Sequence, residues 1–301
     1  APTSAVADRP GHSLLVTRHR PVVRADYDQI LQLADYLRSM TSPEDPIFVV
    51  ASSQAFNSDT LPAAEDLAHG RTNRRLWILR TPDIDSRDRY PLEMIVMARY
   101  VVVASPFQYH IAPTEQNVVR VAHDVFVDGW DLARDFVRLP QEFSIEGARV
   151  TIYRRERPSD LAVSIQALAR IRAAVARRPA SQPDWIPLGP GFAQVERLRE
   201  ERHLVRLRRL PPPHSPSSVW LLHIGSIPDT FEIVTPELLP SVTLRVGCVG
   251  DNGIVVDLRP APFPPLRRCR VGKLVLNVQS GAGGSQPWLE VAPFGIRSRP
   301  Q

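Results

Sequence analysis

Two stretches constrain this chain more than any others. Residues 98–110 read ARYVVVASPFQYH and residues 46–57 read PIFVVASSQAFN, each passing from an apolar, β-branched run into small, hydroxyl, amide and aromatic residues. An unbroken apolar run of this length predicts a strand buried on both faces, as in a parallel sheet covered by helices on either side. In open α/β sheets ligands bind beyond the carboxyl ends of the strands, so the loops after two neighbouring strands share one crevice. The candidate ligand site is therefore Ser52, Ser53 and Asn57 after the first run, with Ser105, Phe107, Gln108, Tyr109 and His110 after the second. Hydroxyls and amides both donate and accept, and Phe107 or Tyr109 offers an apolar face, so a polyhydroxylated ligand is expected.

The flanking pattern supplies the helices. Tyr27, Ile30, Leu31, Ala34 and Leu37 share one helical face after Asp26, a candidate cap, and a strand over 47–51 follows. A short helix over 59–70 stops at Gly70, and a strand covers 76–79. Pro91 opens a helix carrying Leu92, Ile95 and Val96 before the strand 100–104. Thr114 is the expected cap of a helix with Val118, Val121, Ala122, Val125 and Phe126 inward, which Gly129 ends. Strands over 130–139 and 149–154 are expected as an antiparallel pair closing the sheet, before a helix over 159–177.

The segment 178–190, RPASQPDWIPLGP, holds Pro179, Pro183, Pro187 and Pro190 and reads as a domain boundary. Beyond it, apolar runs recur at 219–224, 231–234, 242–249, 254–258, 274–278 and 289–291, the spacing of an antiparallel sandwich. The expected fold class is an α/β domain with a mostly parallel sheet over 23–180, then an all-β, jelly-roll-like sandwich domain over 181–301. Residues 1–22 form a flexible lead-in, and each domain has its own core. Within the second, a three-residue Asp251–Asn252–Gly253 loop aligns Ile254, Val256 and Leu258 with the apolar face of Val242, Leu244, Val246 and Cys248. A two-residue turn would instead set Asp257 opposite Cys248.

Composition is that of a globular chain, 43% hydrophobic and 23% charged over 301 residues, with net charge +5. Lys273 is the only lysine among 37 basic residues, and the arginines are interleaved with acids, so no nucleic-acid partner is expected. No apolar run reaches the roughly 18 to 20 residues of a membrane helix. The chain starts Ala-Pro-Thr-Ser without Met, and it is expected to be a mature form or a piece of a longer protein.

Reaction motifs are not found. The eight histidines form no metal-spaced pair, and there is no nucleophile elbow, phosphate-binding loop or dinucleotide fingerprint. The glycine run 281–285 leads to Pro287 and reads as a hairpin loop. Asp83, Asp85 and Asp88 alternate with Arg87 and Arg89 and read as a solvated loop; no metal and no cofactor are expected. The tryptophans read as core, with Trp220 and Trp288 as candidate sugar platforms in the second domain. Cys248 and Cys269 are expected as buried free thiols, a disulfide in an oxidising compartment being the alternative.

With DPIFVVASS and ARYVVVASPFQYH followed by TEQNVVRVAHDVF and VTIYRR, the chain over about 26–177 resembles a known region. It is similar to the extracytoplasmic soluble part of bacterial GT-C-type glycosyltransferases, the dolichyl-phosphate-mannose protein mannosyltransferase superfamily. Such enzymes take a sugar from a polyprenyl-phosphate carrier, with a catalytic carboxylate between membrane helices, and no position here matches that residue. The resemblance implies a non-catalytic accessory region on the outer side of a bacterial inner membrane, without catalytic residues of its own. Its partners would be a glycan or polyprenyl-linked sugar and the transmembrane portion of the same parent. The alternatives are a stand-alone carbohydrate-active enzyme and a structural protein-interaction module.

Overall fold

The computed structural model of the chain describes residues 25–175, 177–188, 193–197, 204–209, 218–234, 242–263, 266–270, 272–280 and 289–298. The lead-in, the glycine run 281–285, Trp288, His12, His19, His203 and His214 lie outside the described residues.

The two apolar runs form β1 (Pro46–Val50) and β3 (Tyr100–Ser105), and they are direct neighbours, parallel, with Phe48 opposite Val101. β2 (Trp77–Leu79) adds a second parallel ladder on β1. The other half of this sheet runs the opposite way. β4 (Phe136–Ile145) and β5 (Ala148–Arg155) are joined by Glu146 and Gly147, both at positive φ (53° and 75°), and β5 lies antiparallel to β3 and to β4. A two-residue reversal of this kind can only return the chain beside itself. The order β2-β1-β3-β5-β4 is therefore a mixed sheet, which corrects the expected mostly parallel one.

Helices cover both faces of that sheet, as the buried runs require. α1 (Tyr27–Met40) and α2 (Thr60–His69) lay Ile30, Leu33, Leu37 and Leu61 against Ile47, Val49 and Val102. On the other face α3 (Leu92–Met97), α4 (Asn117–Val127) and α5 (Leu161–Ala174) pack Ile95, Val118, Val121 and Ile165 against Phe48, Val50, Val101 and Val103. The cap of α4 is not Thr114, which falls in a short 3-10 turn. Asp85 instead accepts the amide of Val118 at 2.7 Å, and that of Asn117's side chain at 2.7 Å, supplying the carboxylate that a helix start favours.

Two antiparallel five-stranded sheets follow. One is built from β6 (Trp185–Leu188), β9 (Ser218–His223), β11 (Val242–Val249), β12 (Val255–Pro260) and β14 (Lys273–Ser280), in the order β12-β11-β14-β9-β6. The other contains β7 (Ala193–Arg197), β8 (Leu204–Arg209), β10 (Thr230–Val234), β13 (Leu266–Arg267) and β15 (Leu289–Ser298), in the order β13-β10-β15-β8-β7. Val219, Leu221, Leu244, Val246 and Leu276 meet Val195, Leu207, Phe231 and Ile233 between them. The opposite face of the first of these sheets is buried too: Ile186, Leu188, Leu222, Val249 and Val275 join the cluster of Met94, Ile165, Leu168 and Ile171 on α3 and α5.

The chain is thus a stack of helices, mixed sheet, helices, sheet and sheet, and the middle helical layer serves two sheets. This overturns the expectation of an α/β domain followed by a separate sandwich. The Pro-rich segment read as a boundary contains β6, whose four residues are all buried. Pro187 is tolerated there because β6 is an edge strand, where a missing N–H need not break a ladder. The connector is also tied down, with Gln182 accepting the Tyr90 amide at 2.8 Å. Arg89 adds a link by donating to the Val195 carbonyl at 2.8 Å.

Cys248 and Cys269 are joined in a disulfide, not free thiols, their Cα atoms 5.9 Å apart. The β11–β12 register sets Cys248 opposite Val256, as the three-residue loop requires, yet Ile254, Val256 and Leu258 are exposed. β12 is the sheet's outermost strand, and the bulge at Asp257 (φ 54°) shifts its register. The loop below it touches the helical layer. Gly253 sits at φ 75°, and a Cβ there would lie 2.8 Å from the Ala162 amide nitrogen in the first turn of α5. Gly253→Ala should therefore lower stability by about 2 kcal/mol, through strain and a backbone clash. Urea denaturation checks this, and an unchanged midpoint would count against the contact.

Candidate functional site

The loops after β1, β2 and β3 enclose a cleft of about 770 Å³ at the carboxyl edge of the parallel half of the sheet. Of the residues expected there, Ser52, Ser53, Asn57 and His110 line it, and Ser105, Phe107, Gln108 and Tyr109 do not. Phe107 and Tyr109 pack edge to face at 4.7 Å, and Phe107 also meets the His123 ring at 5.6 Å. Gln108 donates to the Glu146 carbonyl at 2.7 Å, holding the β3 loop to the β4–β5 turn.

The lining residues Ser53 and Asn57 are committed to the loop itself. Ser53 is buried, its Oγ donating to Glu146 Oε2 at 2.6 Å and accepting the Phe56 amide at 2.9 Å. Asn57 donates to the Ser53 carbonyl at 3.0 Å and accepts the Asp59 amide at 3.0 Å, which turns the chain into α2. These are the local bonds by which hydroxyl and amide side chains stabilise turns.

At the cleft floor Ser52, Asp83, His110 and Gln116 form one network. Ser52 Oγ donates to Asp83 Oδ1, and Gln116 Nε2 donates to Ser52 Oγ at 2.6 Å and to Asp83 Oδ1 at 2.8 Å. His110 Nδ1 lies 2.6 Å from the Ser52 carbonyl oxygen and its Nε2 lies 3.2 Å from Asp83 Oδ2. Gln116, fully buried, completes the set by accepting the His110 amide at 3.1 Å. Serine, histidine and aspartate together invite comparison with a nucleophilic triad, in which the imidazole must accept the serine proton. Here Ser52 Oγ does lie 3.0 Å from His110 Nδ1, but that nitrogen is nearer the Ser52 carbonyl oxygen at 2.6 Å and the hydroxyl is also shared with Asp83 and Gln116, so Ser52 is held by several partners at once. The network is a brace that fixes three loops around the cleft.

The groups free to meet a ligand are others. Gln54 and Arg80 line the cleft, are exposed, and have no hydrogen-bond or ionic partner among the described residues. Thr81 lines it but donates to the Val49 carbonyl at 2.6 Å, and Arg87 lines it while paired with Asp88 at 2.8 Å. Sequence reasoning missed Gln54, Arg80, Asp83 and Gln116. The loop after β2 carries Arg80 and Asp83, and only its short apolar run hinted that it reaches the same edge. The three aspartates read as a solvated loop all serve the fold. Asp83 braces the floor, Asp85 caps α4, and Asp88 accepts the amides of Asp83 and Ile84 at 2.8 and 2.9 Å.

Among the described residues no group of three or more His, Cys, Asp or Glu is placed to hold a metal, and no helix is long and apolar enough to cross a membrane. Comparison with family models, curated proteins and solved structures finds no match.

Proposed function

We propose that this chain is a non-catalytic, ligand-holding region serving a membrane-bound glycosyltransferase on the extracytoplasmic side, and that its cleft takes a glycan. The observation that carries the reading is the cleft beyond β1, β2 and β3: open, walled by braced loops, and offering the free donors of Gln54 and Arg80. A polyhydroxylated ligand suits fixed polar groups that both donate and accept. Ser52 is held in a bracing network, which favours binding over hydrolysis. The disulfide suits an oxidising compartment, and the sequence resemblance supplies the transferase context.

Titration calorimetry with a panel of short neutral oligosaccharides tests the reading. Binding should weaken by at least about tenfold in Gln54→Ala/Arg80→Ala, equivalent to about 1.4 kcal/mol, with little change in melting temperature because neither side chain braces the fold. No binding by the intact chain, or equal binding by the folded double variant, would remove the cleft as a glycan site.

A further inference from the structure

A second cavity, about 480 Å³, lies where the end of α5 meets the ends of β9 and β14 and the loop carrying Cys269. Arg172, Arg178, Arg268 and Lys273 line it, from the last turn of α5, the connector, the β13–β14 loop and the start of β14. Two of the four are partly answered, Arg178 by Asp184 at 2.6 Å and Lys273 by the largely exposed Asp251 at 3.6 Å. Arg172 and Arg268 have no ionic partner among the described residues. Gathering like charges around one cavity is unfavourable unless an anion enters it.

The cavity also holds a buried polar atom in need of a partner. His223 is 6% exposed and lines the cavity; its ring interacts with the Gly225 backbone, while its Nδ1 has no hydrogen-bond partner among the described residues. Its ring packs edge-on to Trp185 at 4.9 Å. A buried unpaired nitrogen is uncommon and calls for an explanation. The Ser226 hydroxyl lines the same space.

We infer that this cavity is a second ligand site, independent of the glycan reading, and that it binds the phosphoryl group of a phosphate ester. Two unpaired guanidinium forks, an ammonium, a hydroxyl and an imidazole approach from several directions. A tetrahedral phosphoryl group, with three or four acceptor oxygens, uses such a set more fully than a planar carboxylate does. The cavity is larger than a phosphate ion, leaving room for the group the phosphate esterifies. The disulfide at Cys269 holds Arg268 at the rim.

The source of the phosphoryl group, a soluble ester or a lipid headgroup, is separated by two arms of one experiment on the full chain. In the first, glycerol 3-phosphate is titrated calorimetrically. In the second, co-sedimentation is measured with phosphatidylcholine vesicles with and without phosphatidic acid. Arg172→Gln/Arg268→Gln removes the two unpaired forks from exposed positions, and Arg138→Gln, on β4, is the charge control. Loss of glycerol 3-phosphate affinity by at least about tenfold in the double variant alone supports the site with a soluble ester. Loss of phosphatidic-acid-dependent sedimentation in the double variant alone supports it with a lipid headgroup. If neither probe binds, or the double variant or the control behaves otherwise, the site is overturned.

Discussion

Replacing Arg155 by Ala should cost about 3–5 kcal/mol of folding stability, the largest loss expected from any one side chain here. Arg155 is 9% exposed and forms no ion pair with a carboxylate among the described residues. Its guanidinium instead donates to backbone and hydroxyl oxygens: the Ile95 carbonyl, the Ala98 carbonyl at 2.9 Å, and Ser159 Oγ at 3.0 Å. Ile95 lies in the last turn of α3 and Ala98 just beyond it, where any helix leaves its final carbonyls without an intrahelical partner, and a cation there also complements the helix dipole. The ring of Phe136 lies under the guanidinium at 4.2 Å. Burial lowers the Arg155 pKa to about 10, so the group stays charged at neutral pH. Arg155→Met separates bonding from packing, since it fills the space but leaves the carbonyls unpaired. Arg155→Lys should fall between wild type and Met because one ammonium cannot reach three acceptors in a fork. Urea denaturation at pH 7 measures all three, and a loss under about 1 kcal/mol for Arg155→Ala would show that water replaces the guanidinium.

Acidification should destabilise the chain through His223. Burial is the main cause that pushes its pKa from 6.5 down to about 4, outweighing the favourable Asp184 charge. The unfolded chain therefore takes up a proton on this ring between those values while the folded chain refuses it. Stability is fully present above pH 6.5 and falls as pH drops toward 4, by about 3 kcal/mol in total. His223→Phe keeps the ring against Trp185 and removes the proton, so the difference between wild type and variant isolates this group from the carboxylates that titrate nearby. The measurement is stability against pH from 7.5 to 4 in buffers free of phosphate. Parallel curves for wild type and variant would mean that the ring is accessible to a proton in the folded state.

The local parts of the fold were legible. Consecutive apolar residues at 47–50 and 100–104 identified two strands buried on both faces, and the small and hydroxyl residues after them marked one sheet edge. Gly70 and Gly129 ended their helices at φ 81° and 64°, a backbone that glycine adopts without strain. What escaped was long-range. Asp85 caps a helix that starts 32 positions later, and Gln116 reaches Ser52 across 64, so neither leaves a periodic trace. Pro187 looked like a linker residue because its tolerance depends on β6 lying at a sheet edge, which only the topology reveals. For the site, the residue types pointed to loops that meet at the cleft, where Ser52, Ser53, Asn57 and His110 line it and Ser105, Phe107, Gln108 and Tyr109 do not. Hydroxyls and amides that suit a ligand also suit a turn, and at Ser53 and Asn57 the turn takes them.

The middle helical layer bears on how freely the sequence can drift. All six residues of α3 are buried, including Glu93, because both a mixed sheet and an antiparallel sheet lean on the layer it belongs to. A residue of α1 answers to one sheet and can vary on its outer side; a residue of α3 must fit two at once, and a change accepted by one sheet has still to suit the other. Substitutions along 92–97 are then expected to survive only with partners on both sides, so the shortest α-helix among the described residues is also the one with the fewest independent choices.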